Sequence, residues 1–323
     1  MFEDVKKIVY SEDYPKPIVD ADSAIVKVHY CGICGSDISN FKYKMYQVPL
    51  VMGHEFSGEI VEFGENINDF EIGDKVCGIN VALDLGGGGQ LDGLGIFRDG
   101  GFAEYVKVPQ KYLFKIPESI STKEGALIES FANATRAEKL SNIGENQNIL
   151  IIGAGNIGLC FLNYFLNEKK PNYIAVVELQ EFLREKAKEM GAIDALPPNK
   201  VKIKKFIKKY GSPTFIYDCA GNEQTLRLAI DLIKKGGTVV LVGFSKGNIS
   251  IPMFLLNNKE VCLQGVLGHD REDILNSIEF FKKKKIDANK LISEIIPLND
   301  IQKTFERFIE PGERKFIKIL VKM

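Results

Sequence analysis

The run Asn148-Ile-Leu-Ile-Ile-Gly-Ala-Gly-Asn-Ile-Gly158 decides the fold of this chain. Its first half is a short, unbroken apolar stretch, as expected of a strand buried on both faces in a parallel sheet. Its second half spells G-x-G-x-x-G and runs straight into Leu159-Cys-Phe-Leu, which opens a helix. Gly153 allows the tight turn, Gly155 lets the backbone approach a pyrophosphate, and Gly158 lets helix and strand pack closely. The backbone N–H groups of Asn156 and Ile157, at the helix start, are placed to hold the phosphate charge. Alone, such a glycine pattern is weak. Between a strand and a helix it marks a dinucleotide site.

Downstream, Tyr173-Ile-Ala-Val-Val-Glu178 is the next strand, and Glu178 falls twenty residues after Gly158. A carboxylate there accepts from both adenosine ribose hydroxyls and repels a 2′-phosphate, so the expected cofactor is NAD rather than NADP. Arg184, two turns on, works against that preference, and the competing reading makes Glu178 a cap of the following helix. The segments Thr214-Phe-Ile-Tyr-Asp-Cys, Gly237-Thr-Val-Val-Leu-Val-Gly and Val261-Cys-Leu-Gln-Gly-Val repeat the buried-strand character. Helical stretches over 180–190, 224–234 and 271–284 separate most of them, which is the pattern of a doubly wound α/β domain.

Upstream the texture differs. Residues 1 to about 125 are β-rich, with strands read at Ala24-Ile-Val-Lys-Val-His-Tyr, at Phe56-Ser-Gly-Glu-Ile-Val-Glu-Phe-Gly, after the turn in Asp69-Phe-Glu-Ile-Gly-Asp-Lys-Val, and at Gly101-Phe-Ala-Glu-Tyr-Val-Lys-Val-Pro. Between them, 84–101 is packed with glycine and carries no periodicity, so it reads as an exposed lobe or mobile loop. Ser121-Thr-Lys-Glu-Gly-Ala is a capped helix start. The tail Lys315-Phe-Ile-Lys-Ile-Leu-Val is strand-like and is expected to return to the first domain. The expected division is 1–130 with 270–323 as a β-rich domain, and 131–269 as the dinucleotide-binding domain.

Composition narrows the function. With 323 residues, 45 % hydrophobic and 26 % charged, the chain has ample material for a core. A net charge of −1 argues against nucleic acid or an anionic membrane as partner. The lysine-rich stretches at 200–209 and 282–285 are interleaved with apolar residues and read as solvated helix faces. No apolar run is long enough to span a bilayer, and Met1-Phe-Glu-Asp-Val lacks the basic, apolar start of a signal peptide. Six scattered cysteines do not form a disulfide framework, so the chain reads as cytoplasmic.

The chemistry is concentrated in Cys31-Gly-Ile-Cys34-Gly-Ser-Asp37, answered downstream by Gly53-His54-Glu55. Together these supply a thiolate, an imidazole and carboxylates, the ligand types of a catalytic zinc. The spacing is not that of a zinc finger, since Cys31 and Cys34 have no second Cys/His pair at finger distance. Cys31 reads as a small buried hydrophobe. His29 has no partner at ligand spacing and reads as structural.

With both sites placed, the chain resembles the zinc-dependent medium-chain dehydrogenase/reductase family along nearly its whole length. Besides the segments at 31–37 and 153–158, the matching pieces are Gly53-His54-Glu55-Phe-Ser-Gly, Asp99-Gly-Gly-Phe-Ala-Glu-Tyr-Val and Ala126-Leu-Ile-Glu129. The resemblance implies a GroES-like β-rich catalytic domain joined to a Rossmann domain. Glu129 points to the polyol branch, the sorbitol and galactitol-1-phosphate dehydrogenases, with threonine dehydrogenase close by. It further implies that Cys34 and His54 ligate one catalytic zinc, with Glu55 or Glu129 completing the site. Asp37 is then the carboxylate that orients the ligand histidine, and Ser36 the hydroxyl that accepts the substrate proton. The relay-ending histidine of the liver-type alcohol dehydrogenases is absent; Ser39 falls near its place. The lobe at 80–101 has no cysteine, and Cys77 alone cannot hold the structural zinc of many relatives, so none is expected.

The implied reaction is oxidation of a secondary hydroxyl of a small polyol or sugar alcohol, free or phosphorylated, by a homodimer or homotetramer. Threonine or a butanediol-type secondary alcohol is the alternative substrate. Pocket-lining candidates are Phe41, residues near Glu129, and His269-Asp270-Arg271, where Arg271 either meets a phosphate or lies on a helix start. A zinc-free quinone reductase would lack the Cys34, His54 and Glu55 set. A non-catalytic dinucleotide sensor would not need Ser36, Asp37 and Glu129.

Overall fold

The computed structural model describes residues 1–80, 92–244, 247–284 and 287–323. Of the 84–101 stretch read as a lobe or loop, 84–91 lies outside the described residues, while 92–101 is a turn closed by a Leu94–Arg98 bridge, with Leu94 buried and Phe97 and Arg98 exposed. The chain forms two compact units: Met1–Ala132 with Gly268–Gly312 and Lys318–Met323, and Asn133–Leu267 with Glu313–Ile317.

In the first unit the described residues form a seven-stranded sheet. Its spatial order is Ile292–Pro297, Lys318–Lys322, Ser23–Gly32, Glu55–Phe63, Lys75–Gly78 and Leu113–Lys115, with Tyr105–Pro109 also pairing with Ser23–Gly32. Ser23–Gly32 is the central strand. It carries Ala24, Ile25, Val26, Val28 and Cys31 into the core, so Cys31 is the buried thiol its context implies. Each of the Val and Ile side chains removed from water contributes about 1.5–3 kcal/mol. The C-terminal tail does return here. The Lys318–Lys322 strand runs antiparallel to Ser23–Gly32, with Leu320 opposite Gly32, and parallel to Ile292–Pro297. It is shorter than the sequence pattern suggests, because residues 313–317 group with the second unit.

The second unit is an entirely parallel six-stranded sheet, in spatial order Asp194–Leu196, Tyr173–Val177, Asn148–Ile152, Phe215–Asp218, Thr238–Leu241 and Cys262–Gly265. In chain order this is 3-2-1-4-5-6, the doubly wound dinucleotide-binding arrangement, whose ligand crevice lies at the carboxyl ends of the strands where the order reverses. All four apolar residues of Asn148–Ile152 are buried. The three-residue Asp194–Leu196 strand escapes the sequence reading because it is too short to show a period. The capped helix start at Ser121 is present as the helix Thr122–Gly125 with a Ser121/Glu124 capping box, and a separate helix, Ile128–Ser141, follows it.

Candidate active site

The strand Ser23–Gly32 delivers the chain to Cys34, which caps the helix Gly35–Tyr43. Asp37, at the third helical position, accepts from the Cys34 amide at 2.9 Å through Oδ2. Its other oxygen, Oδ1, stands 3.4 Å from His54 Nδ1. The opposite ring nitrogen, His54 Nε2, lies 3.3 Å from Ser36 Oγ. His54 follows Gly53, whose φ of +96° suits glycine. A Cβ there would also come within 2.8 Å of Cys31 Sγ and 2.9 Å of the Phe102 nitrogen, so the close approach needs glycine twice over.

Glu55 opens the strand Glu55–Phe63 and is fully buried. Its Oε2 accepts from Ser130 Oγ at 3.2 Å and from the ammonium of Lys318, which also donates to the Ile33 carbonyl at 3.1 Å. Its Oε1 is buried with no hydrogen-bond partner. The ligand atoms of Cys34, His54 and Glu55 all lie within 4.8 Å of one another, the one such group among the described residues. One sulfur of a half-buried cysteine, one imidazole nitrogen and one carboxylate oxygen, the last two from buried side chains, fit a zinc ion. Glu129, on the helix Ile128–Ser141, stands outside this set. Its Oε1 lies 3.9 Å from Nδ1 of the buried His269.

The charges in this site act on one another. Burial, and after it the Glu55 charge, pushes the Cys34 thiol up. Burial alone would lower the His54 imidazole, but Asp37 and then Cys34 hold it well above its ordinary value. For Lys318, burial pulls downward and the Glu55 carboxylate outweighs it, so the ammonium stays charged. Tyr46 sits beside His54 and Ser36, its phenol raised by burial; Asn40 Oδ1 anchors it by accepting from the Met45 and Tyr46 amides at 2.7 and 2.8 Å.

Several pocket candidates fall elsewhere. Phe41 is a core residue, fully buried and edge-on to Phe305 at 5.3 Å, so it does not line a pocket as expected. Arg271 begins the helix Arg271–Lys282 after its Asp270 cap, with its guanidinium 4.6 Å over the Phe114 ring. His29 bonds Thr122 Oγ1 at 3.3 Å. Sequence reasoning missed Lys318 and Ser130. The available signal was a lysine inside a tail whose other residues, Ile319, Leu320 and Val321, are apolar and buried.

In the second unit the strand Asn148–Ile152 leads into the glycine turn. Gly153 has φ +96°, and Gly155 caps the helix Asn156–Glu168. A Cβ on Gly158 would lie 1.9 Å from the Gly153 carbonyl oxygen, whereas one on Gly155 would meet nothing within 4 Å. The helix N-terminus therefore faces open space, with the amides of Asn156 and Ile157 in its first turn. Glu178 follows the strand Tyr173–Val177 and bridges to this turn: Oε2 accepts from the Ala154 amide at 2.7 Å and Oε1 from the Gln180 amide at 2.9 Å. Arg184 Nη1 donates to the Glu178 carbonyl at 3.0 Å and to that of Leu179.

Residues 20–118 match the alcohol dehydrogenase GroES-like domain, and residues 158–283 match the zinc-binding dehydrogenase domain. D-xylulose reductase of Saccharomyces cerevisiae is 30 % identical over 318 residues, covering 90 % of this chain and 87 % of its own. L-threonine 3-dehydrogenase of Shewanella baltica is 26 % identical over 320 residues, covering 93 % of each. The crystal structure of 2R,3R-butanediol dehydrogenase from Bacillus subtilis superposes with a TM-score of 0.90 at 28 % identity, covering 100 % of this chain and 98 % of that one.

Proposed function

Because the chain belongs to the zinc-binding, GroES-like alcohol dehydrogenase family of oxidoreductases, we propose that it oxidises a secondary hydroxyl of a polyol or sugar alcohol to a ketone with NAD as hydride acceptor. The observation that carries this reading is the gathering of half-buried Cys34 with buried His54 and Glu55, with Ser36 against His54 Nε2. Cys34 and His54 would hold one zinc per chain, completed by Glu55 or Glu129. When bound, the zinc supplies Lewis acidity that eases loss of the substrate's hydroxyl proton, and NAD supplies the hydride chemistry.

This chain's own residues do the rest. Ser36 Oγ takes the proton from the substrate hydroxyl. Asp37 holds the ring of His54 with Nδ1 toward itself, leaving Nε2 to the metal. Gly153, Gly155 and Gly158 shape the turn, and the amides of Asn156 and Ile157 bind the pyrophosphate. Glu178, held at the turn by Ala154, accepts from the adenosine ribose and favours NAD over NADP. Residues 1–130 and 270–323 make the catalytic domain, and 131–269 the dinucleotide-binding domain.

L-threonine or a butanediol-type secondary alcohol is the second reading, favoured by two of the relatives described above. A dinucleotide sensor without turnover is disfavoured by the presence of Ser36 within hydrogen-bond reach of a metal-binding histidine. We also infer a homo-oligomer, a dimer or tetramer. The half-exposed edge strand Cys262–Gly265 and the neighbouring Phe254 and Leu267, 84 % and 69 % exposed, support it. No helix among the described residues is long and apolar enough to cross a membrane. The free thiols at all six cysteines suit a reducing cytoplasm. Metal analysis tests the site: one zinc per chain in the purified protein, lost in Cys34→Ser, is expected, and zinc retained by Cys34→Ser contradicts the assignment.

A further inference from the structure

The Glu55 carboxylate is divided between two kinds of neighbour. Oε2 takes two donors, Ser130 and the buried ammonium of Lys318, while Oε1 is buried and takes none, and Glu55 is a member of the Cys34–His54–Glu55 group. Lys318 and Glu55 are 263 positions apart in the chain, and both side chains are completely buried. A buried ammonium beside a zinc seat repels the incoming cation, and nothing about strand pairing requires a charge there. The remaining neighbours explain why it is held so firmly. Lys318 begins the strand Lys318–Lys322, and its Nζ is anchored a second time by the Ile33 carbonyl at 3.1 Å. Gly32 makes room for it, since a Cβ there would lie 2.5 Å from Lys318 Cε and 2.8 Å from Glu55 Oε2.

We propose that Lys318, with Ser130, is a positioning residue that ties down one oxygen of Glu55 and so presents the other, Oε1, to the metal seat. This rests on the reading of Cys34 and His54 as metal ligands. It assigns the C-terminal strand a task at the metal. It also gives Glu55 a defined posture: one oxygen committed to the protein, one free for a cation. A ligand carboxylate is generally oriented by the groups that hold its other oxygen, and loss of such a group typically costs about 10–100-fold in metal affinity.

The test uses Co²⁺ in place of zinc on the full-length protein. A thiolate-to-metal absorption band in the wild type, absent in Cys34→Ser, establishes the seat itself; no such band in the wild type overturns the underlying reading rather than the role of Lys318. Given the band, Lys318→Met keeps it, binds Co²⁺ about 10–100-fold more weakly, and alters the ligand-field absorption. In a Glu55→Gln background the same Lys318→Met change then costs little further affinity, because the carboxylate it acts through is gone. Wild-type affinity and spectrum in Lys318→Met overturn the proposal. An equal loss with and without Glu55 also overturns it, since that marks a general effect on the fold. Ser130→Ala keeps the question open to test if Lys318→Met does not fold: it removes the second donor to the same oxygen. A weaker Co²⁺ affinity with the thiolate band kept is expected, and an unchanged affinity contradicts the proposal.

Discussion

Asp37 Oδ1 stands 3.4 Å from His54 Nδ1, and both side chains are buried. The contact fixes which face of the imidazole is left for a metal. Asp37→Asn keeps the shape but removes the charge that favours this ring orientation. The expected outcome is zinc binding weakened by about 10–100-fold in a chelator competition titration. Unchanged affinity would show that the ring is oriented by packing alone.

Ser36 is at the other edge of that ring, 3.3 Å from Nε2. If its hydroxyl carries the substrate proton, Ser36→Ala retains a full complement of zinc while kcat falls by about 10²–10⁴-fold. A loss of metal instead of a loss of kcat would make Ser36 part of the zinc seat.

Gly158 cannot carry a side chain without moving the turn, because its Cβ would sit 1.9 Å from the Gly153 oxygen. Gly158→Ala is expected to destabilise the protein by about 1–3 kcal/mol, seen as a lower Tm. It should also weaken NADH binding, read by nicotinamide fluorescence. Gly155→Ala, which meets no protein atom within 4 Å, should leave Tm nearly unchanged and weaken NADH alone.

Glu178 accepts from the Ala154 and Gln180 amides at 2.7 and 2.9 Å, so its carboxylate joins the glycine turn to the start of the helix Glu181–Glu189. Glu178→Gln should weaken NADH binding by about 1.5–3 kcal/mol through loss of charged hydrogen bonds, and weaken NADPH much less. An equal effect on both would remove Glu178 from the choice of cofactor.

The parts of this molecule that can be read along the chain are those whose partners are near neighbours in sequence. Cys34, Ser36 and Asp37 share one helix start, and the glycine turn is a contiguous strand–turn–helix. The meeting of the Lys318 ammonium with the Glu55 carboxylate is different in kind. It depends on which tail residue meets which residue of a strand nearly three hundred positions earlier, and a lysine in an apolar run gives no direction to its partner. Phe41 shows the reverse failure: an aromatic just past the metal segment invites a pocket role, and only its contact with Phe305 reveals it as core. Glu55 and Glu129 likewise differ only in three dimensions: Glu55 groups with Cys34 and His54, while Glu129 lies 3.9 Å from His269 and its charge also reaches Cys34.

The most direct test of the central claim is reduction of NAD⁺ over polyols, polyol phosphates, threonine and simple secondary alcohols, each with and without a strong chelator. The account predicts turnover on a secondary alcohol of this set, abolished by the chelator and restored by added zinc. Turnover that survives complete removal of the metal would contradict it.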